Sequence, residues 1–90
     1  MSNKQIILSS LAMDLRRVAQ SYFRGSTKTA DRFFEEAMKR KDEADALDLS
    51  PYLRNLLLKI EKIKLEKDEK QKAEDALMYS TLFQNAALAS

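Results

Sequence analysis

The last thirty-nine residues, Tyr52 to Ser90, contain neither glycine nor proline. These two residue types most often end helices and form tight turns, so their absence favours helix over the whole stretch. The charge within it changes abruptly. The seventeen residues from Lys59 to Asp75 carry twelve charged side chains, whereas the fifteen from Ala76 to Ser90 carry none. A helix across both parts has a solvated middle and an end that another surface must cover.

The composition predicts an all-α helical bundle. The 90 residues include one glycine, one proline and a single valine, while lysine, glutamate, leucine and alanine are abundant. The abundant types favour helix, and no alternating apolar pattern supports strands. A chain of this length makes one small domain, here residues 1–90.

The first helix carries a clear apolar stripe. We expect it to start after Ser2 or Asn3, either of which can cap a helix, and to end before Gly25, which suits the left-handed residue after a helix. Spacings of three and four place five apolar residues on one face. These residues are Leu8, Leu11, Leu15, Val18 and Tyr22.

Two further helix starts follow. The second helix is expected from residues 27–29 to residues 45–47, with Phe33 and Phe34 in its apolar face. The third is expected to start at Pro51, because Ser50 can cap a helix and proline fits the first helical position. Its stripe comprises Leu53, Leu56, Leu57, Ile60 and Ile63, widened by Leu58 and Leu65.

Residues 66–72 decide between two architectures. They include no apolar side chain, yet each is compatible with helix, so we expect one continuous helix from Pro51 to about Leu88 and three helices in all. At 1.5 Å per residue this helix is roughly 55 Å long, more than a globule of this size can cover. The alternative is a break near residue 70, which folds the last segment back as the fourth helix of an antiparallel bundle.

The uncharged last segment predicts self-association. Its large apolar side chains lie on more than one side of a helix, and a projecting helix needs a second molecule to cover them. We expect a homodimer or larger homo-oligomer, with another protein as a further partner, and with the apolar stripes of the first and third helices at the interface. The expected interface anchors are Leu77, Met78, Leu82 and Phe83.

The chain has no cysteine and no histidine. Disulfides, cysteine-ligated metals and the usual catalytic triads are therefore excluded. The acidic residues between positions 35 and 45 lack the spacing and the glycine of a calcium loop, so no metal site is predicted. We expect no catalytic residue and no cofactor, which favours a non-enzymatic interaction, adaptor or regulatory protein.

The first third of the chain is basic and offers an alternative function. Residues 1–29 carry five basic side chains and one acidic side chain. Nucleic acid or another anion could bind there if the basic residues share one exposed face, although no regular ladder of aromatic side chains is interleaved with them. The candidate residues are Arg16, Arg17, Arg24 and Lys28.

Four aromatic residues flank Gly25, namely Tyr22, Phe23, Phe33 and Phe34. We expect them to form an aromatic plug in the core where the first two helices meet. A pocket for a small ligand is the alternative at this position.

Two fragments, Asp14-Leu15-Arg16-Arg17 and Leu82-Phe83-Gln84, resemble the all-helical chorismate mutases. Members of that family are helical dimers of similar length, in which arginine, lysine, glutamate and glutamine side chains hold a dicarboxylate between helices. The resemblance covers these fragments alone. It implies, as a further alternative, a small enzyme in which at least two of the arginines converge on a pocket with glutamate or glutamine.

The sequence also bears on cellular location. No stretch approaches the ~20 apolar residues that span a membrane. The short apolar run near Met1 is followed by Asp14 and two arginines, which is unlike a signal peptide. We therefore expect a cytoplasmic protein.

Overall fold

The computed structural model describes residues 2–90, and this part of the chain forms four α-helices and no strand. The helices are α1 (Asn3–Phe23), α2 (Thr27–Asp45), α3 (Pro51–Leu65) and α4 (Glu69–Ala89). The molecule extends over 35 × 22 × 19 Å. The predicted all-α bundle is confirmed, in its four-helix form.

Local sequence signals set the helix ends as expected. The backbone N–H of Gln5 donates to Ser2 Oγ at 3.1 Å, and the N–H of Ser2 donates to Gln5 Oε1 at 3.0 Å, so α1 starts with a reciprocal cap. Gly25, just after α1, has a φ of +76°, a value that strains other residues. At the start of α3, the N–H of Leu53 donates to Ser50 Oγ at 3.3 Å.

The continuous helix expected from Pro51 to Leu88 is wrong, because the chain reverses at residues 66–68. Asp68 caps the new helix, since its Oδ1 accepts the N–H of Lys70 at 3.0 Å. The reversal lays α4 along α1, where its inner side is buried, whereas a projecting helix would leave that side in water. Tertiary packing thus outweighs the local preference of residues 66–68 for helix.

Small side chains determine which helices lie close together. The distance between helix axes depends on the side chains in contact, so α1 packs closely on α2 and on α4. These three helices carry the small buried residues Ala12, Ala19, Ala30, Ala37, Ala44, Ala73, Ala76, Ser80 and Ala87. In contrast, α3 contains no alanine or glycine, and its backbone comes near only a few residues of α2 and α4.

The apolar stripes of α1 and α3 form the core of the single chain, so the expectation that they lie between copies is wrong. Their fully buried members include Leu8, Leu11, Leu15, Val18, Leu57 and Ile60. The stripe of α3 is also narrower than expected. Leu58 and Leu65 are 60% and 77% exposed and lie outside the core.

Candidate interaction surface

Helices α1 and α4 lie antiparallel and side by side. At one end of the pair, Gln5 Nε2 donates to the carbonyl oxygen of Ser90 at 2.7 Å. At the other end, Lys72 Nζ lies 5.7 Å from the centre of the Tyr22 ring. The two helices therefore present a common outer surface along their whole length.

This outer surface carries exposed apolar side chains in two stripes. On α1, Ile6 and Met13 are two turns apart and so lie on the same side, 49% and 51% exposed. On α4, Leu77 and Leu88 are 41% and 74% exposed, and polar residues occupy the turns between them. We call this surface the α1–α4 face and define it by Ile6, Met13, Arg16, Leu77, Thr81, Gln84 and Leu88.

A groove of about 280 Å³ runs between the two stripes. It is lined by Ala12, Met13 and Arg16 of α1 and by Ser80, Thr81, Gln84 and Asn85 of α4. Arg16 is the one charged residue in this lining. The α1–α4 face is therefore nearly neutral, and it offers amide and hydroxyl groups that can form hydrogen bonds.

The four predicted interface anchors have different positions in the structure. Leu77 lies on the α1–α4 face, Met78 is exposed beside it, and Leu82 is half-buried. Phe83, however, is fully buried in the core of the monomer, so its assignment as a surface anchor is wrong. It shares the inner side of α4 with the small residues, three and four positions away, that pack on the rest of the bundle.

The four basic candidates do not form one face. Arg16 lines the groove toward α4, whereas Arg17 lines a second groove on the α2 side of α1, together with Phe33; Met13 lies between the two grooves and lines both. Arg24 and Lys28 are exposed at the end of α1 and in the first turn of α2. Nucleic-acid binding was expected only if the basic residues share one exposed face. Arg16 and Arg17 lie on different sides of α1 and do not share one.

Arg17 interacts with an acidic and an aromatic side chain. Its Nη1 lies 3.7 Å from Asp14 Oδ1, and its guanidinium lies 5.6 Å from the centre of the Phe33 ring. Burial raises the pKa of the Asp14 carboxyl, and the positive charges of Arg17 and Arg40 offset part of this increase. A paired guanidinium of this kind is less available to a phosphate than a free one.

The fragments that resemble chorismate mutases do not assemble a clamp for a dicarboxylate. Arg16 and Gln84 do line the same groove. Arg17 faces the other groove instead, beside Asp14 and Glu36. Arg16 and Arg17 therefore do not converge on one pocket, as the resemblance had implied for two of the arginines.

The aromatic cluster around Gly25 forms only part of the expected plug. Phe34 is buried, and Tyr22 and Phe33 are half-buried. Phe23 is 56% exposed, so its assignment to the plug is wrong. It is the last residue of α1, and it lies about 120° around that helix from Arg17, which contacts Phe33 of α2.

A cavity of about 490 Å³ opens beside Tyr22, between α2, the end of α3 and the start of α4. Tyr22 Oη donates to Asp31 Oδ1 at 3.2 Å. Burial, followed by the negative charge of Asp31, raises the pKa of Tyr22 to about 12. The remaining lining residues are Phe34, Glu35, Met38, Ile63, Lys64 and Lys72. Two lysines balance two carboxylates around the cavity, so its charge selects no class of ligand.

Lys41 is a buried charge that the sequence did not reveal. Only 6% of its side chain is exposed, and its Nζ lies 3.1 Å from Asp45 Oδ2 and 3.5 Å from Glu61 Oε1. Burial lowers the pKa of Lys41, but the two carboxylates outweigh burial and the net pKa is raised. The position of Asp45 four residues later was a visible signal, whereas the contact with Glu61 depends on how α3 packs on α2.

No metal-binding cluster of acidic side chains is present within residues 2–90. No helix in the same part of the chain is long and apolar enough to cross a membrane. Comparisons with models of protein families, with curated proteins and with solved structures gave no match to this chain. A functional assignment therefore rests on the surfaces of the molecule itself.

Proposed function

We propose that this protein is a small cytoplasmic, non-enzymatic interaction protein that associates with a second copy of itself through the α1–α4 face. One observation carries the proposal: exposed apolar stripes on two adjacent helices flank a groove with a nearly neutral lining. Exposed apolar patches with polar edges are typical of protein interfaces. Met13, which lines the groove, and Leu77, on the neighbouring helix, serve as the anchors, since a few large side chains contribute most of the association energy.

The charge of the face favours a second copy over a charged partner. No residue from Ala76 to Ser90 is charged, and α1 adds only Arg16 to the groove. A two-fold interface brings the same patch of both copies together, so a charged patch would repel itself. A patch whose one charged side chain is Arg16, and which has both hydrogen-bond donors and acceptors, limits that repulsion and can pair with its own copy.

The face is small for a dimer interface. Ile6 to Arg16 and Leu77 to Leu88 span 11 and 12 residues, which gives a length of about 17 Å and, at about 10 Å per helix, a projected area of about 340 Å². A stable interface of standard size buries about 800 Å² of accessible surface on each partner. We therefore expect a weak dimer whose population depends on protein concentration.

The experiment that tests this proposal replaces an anchor by a charge. We expect Met13→Glu and Leu77→Glu each to convert the dimer into a monomer, because each places a carboxylate in an apolar contact next to its symmetry mate. The measurement is mass by light scattering or sedimentation over a range of protein concentrations. Circular dichroism and urea unfolding of each variant establish that it is folded.

Leu58→Glu is the matched control. Leu58 is 60% exposed, more than either anchor, but it lies on α3 away from the α1–α4 face. It should leave the dimer intact. A wild-type monomer at every concentration contradicts the proposal, and so does a dimer that all three variants leave unchanged.

A further inference from the structure

The turn between α3 and α4 consists of residues 66–68, Glu66-Lys67-Asp68, and contains no glycine or proline. We propose that this turn is a hinge: by straightening, it joins α3 and α4 into one helix and delivers α4 to a second copy of the chain, which gives its own α4 in return. This exchange is independent of the α1–α4 face, because it uses the contacts that already hold the monomer together.

The backbone of the turn is extended at Glu66 and Asp68, although both residues have φ values that are compatible with helix. Glu66 has φ −67° and ψ 131°, and Asp68 has φ −81° and ψ 113°. Both φ values lie near the helical value of about −63°, so conversion to helix at these two residues is chiefly a rotation of ψ. Gly25 is the only residue with positive φ among those described, so no left-handed residue locks this turn.

Exposed carboxylates hold the turn. Glu66 Oε1 accepts the N–H groups of Lys67 and Asp68 at 3.1 and 3.2 Å, and Asp68 Oδ1 accepts that of Lys70 at 3.0 Å. In a continuous helix these three N–H groups would donate instead to backbone carbonyls four residues earlier. The side-chain bonds of the turn are therefore replaced on straightening, and no N–H group loses its partner.

Straightening separates α4 from its own α1 and α3, and exchange restores these contacts with the second copy. The backbone of α4 lies close to α3 over only a short region, whereas it packs against α1 along most of its length. In an exchanged dimer, α4 of one copy occupies the same position on α1 of the other. Phe83 and the small residues of α4 are thus buried again, now against the second copy.

The length of the joined helix excludes a single-chain alternative. From Pro51 to Ala89 it would span about 58 Å, whereas the longest dimension of the molecule is 35 Å. Once the hinge straightens, α4 cannot reach its own α1. A short hinge of three residues is also the loop type that favours exchange of an element between identical chains.

The distance between α3 and α4 within one chain distinguishes the two forms. The chain has no cysteine, so spin labels can be attached to Asn55→Cys and Ala89→Cys, both exposed positions outside the groove of the α1–α4 face. In the folded monomer the start of α3 lies beside the end of α4, since Tyr52 and Ala89 line the same groove. In a joined helix the labelled positions are 34 residues apart, or about 51 Å. The labelled chain is refolded at high concentration with excess unlabelled chain, so that only distances within one chain are measured.

Two hinge variants and one control variant complete the test. Glu66→Ala with Asp68→Ala removes the carboxylates that hold the turn and adds two strong helix formers, so it should increase the population with the long distance. Glu69→Pro should abolish that population. Residue 69 is the first of α4, where proline fits as it does at Pro51, but proline inside a joined helix breaks it.

Glu69→Ala is the control for Glu69→Pro. Thr27 Oγ1 donates to Glu69 Oε2 at 2.8 Å, and both variants lose this bond, but only proline blocks a joined helix. A dimer whose two labels stay at the short distance of the monomer overturns the hinge, as does a long-distance population that Glu69→Pro leaves unchanged. Met13→Glu and Leu77→Glu should not alter the long-distance population, so failure of the hinge and failure of the α1–α4 face are separate results.

Discussion

Tyr22 illustrates how one residue can link stability to pH. Its hydroxyl is partly buried and bonded to Asp31, which raises its pKa from 10.0 to about 12. The unfolded chain therefore releases the Tyr22 proton at lower pH than the folded chain does. The contribution of Tyr22 to the free energy of unfolding is fully present below pH 10 and is lost between pH 10 and 12.

We expect Tyr22→Phe to lose less stability than the wild type over this interval, because phenylalanine has no proton to release. The measurement is urea unfolding of both proteins below pH 10 and midway between pH 10 and 12. Asp31→Asn removes the second cause of the shift, after burial, and should reduce the difference without abolishing it. Equal losses in the wild type and Tyr22→Phe would contradict this account.

The burial of individual apolar residues follows their position on a helix and not their type. Phe83 is fully buried, while Leu88, five residues later, is 74% exposed. Both belong to the same uncharged segment, so the sequence offered no charge pattern to separate them. The core side of α4 became recognisable only from the small residues that touch α1.

At the level of the helix, two serines that precede a helix differ in whether they cap it. Ser50 caps α3 by accepting the N–H of Leu53 at 3.3 Å. Ser26 occupies the same position before α2, but its hydroxyl bonds to Thr29 Oγ1 at 2.9 Å and caps no backbone N–H. The same residue type therefore stabilises one helix start and contributes little to the other.

Ser50→Ala should accordingly lower the free energy of unfolding by about 1 kcal/mol, the usual cost of removing a helix cap. Ser26→Ala should cost clearly less, because it removes a bond between two exposed hydroxyl groups. Urea unfolding of both variants against the wild type measures the difference. If Ser26→Ala proves as destabilising as Ser50→Ala, the geometry of the cap does not determine its energy.

The helices themselves were largely predictable from the sequence, and their arrangement was less so. Ser2, Gly25 and the pair Ser50-Pro51 act through their immediate neighbours, so they set helix ends in any fold. The turn at residues 66–68 has no such signal. It forms because α4 gains more from packing on α1 than three residues gain from staying helical.

For the whole molecule, α4 is a structural element and not an accessory. Its inner side buries Ala73, Ala76, Ser80, Phe83 and Ala87 against the rest of the bundle. Truncation of a buried phenylalanine side chain alone typically costs about 3–5 kcal/mol, and a domain of this kind has a total stability of about 5–15 kcal/mol. Loss of the whole helix therefore exceeds what the remaining helices can sustain.

A chain that ends at Asp75 should consequently lack a cooperative unfolding transition, measured by circular dichroism against urea or temperature. A chain that ends at Leu88 is the matched control. It loses only the exposed Ala89 and Ser90, with the bond from Gln5, and should unfold cooperatively. Cooperative unfolding of the chain that ends at Asp75 would show that α1, α2 and α3 form a domain without α4.

The candidate surface, too, was only partly predictable from the sequence. Leu77 and Met78 were identified from the uncharged segment and are exposed in the structure. Ile6 and Met13 were not, because their role depends on α4 lying beside α1. Arg16 and Arg17 are adjacent in sequence but face different helices, a separation that follows from the 100° step between successive residues once the neighbours of α1 are known.

The sequence by itself determined that this protein is helical, where three of its helices begin, and which apolar stripes of α1 and α3 are buried, because caps and periodicity act within a few residues. Only the tertiary structure decided that the last segment turns back at residues 66–68 and which of its large side chains remain exposed. The physical reason is that both outcomes depend on small side chains matched between helices distant in sequence, α1 with α4 above all.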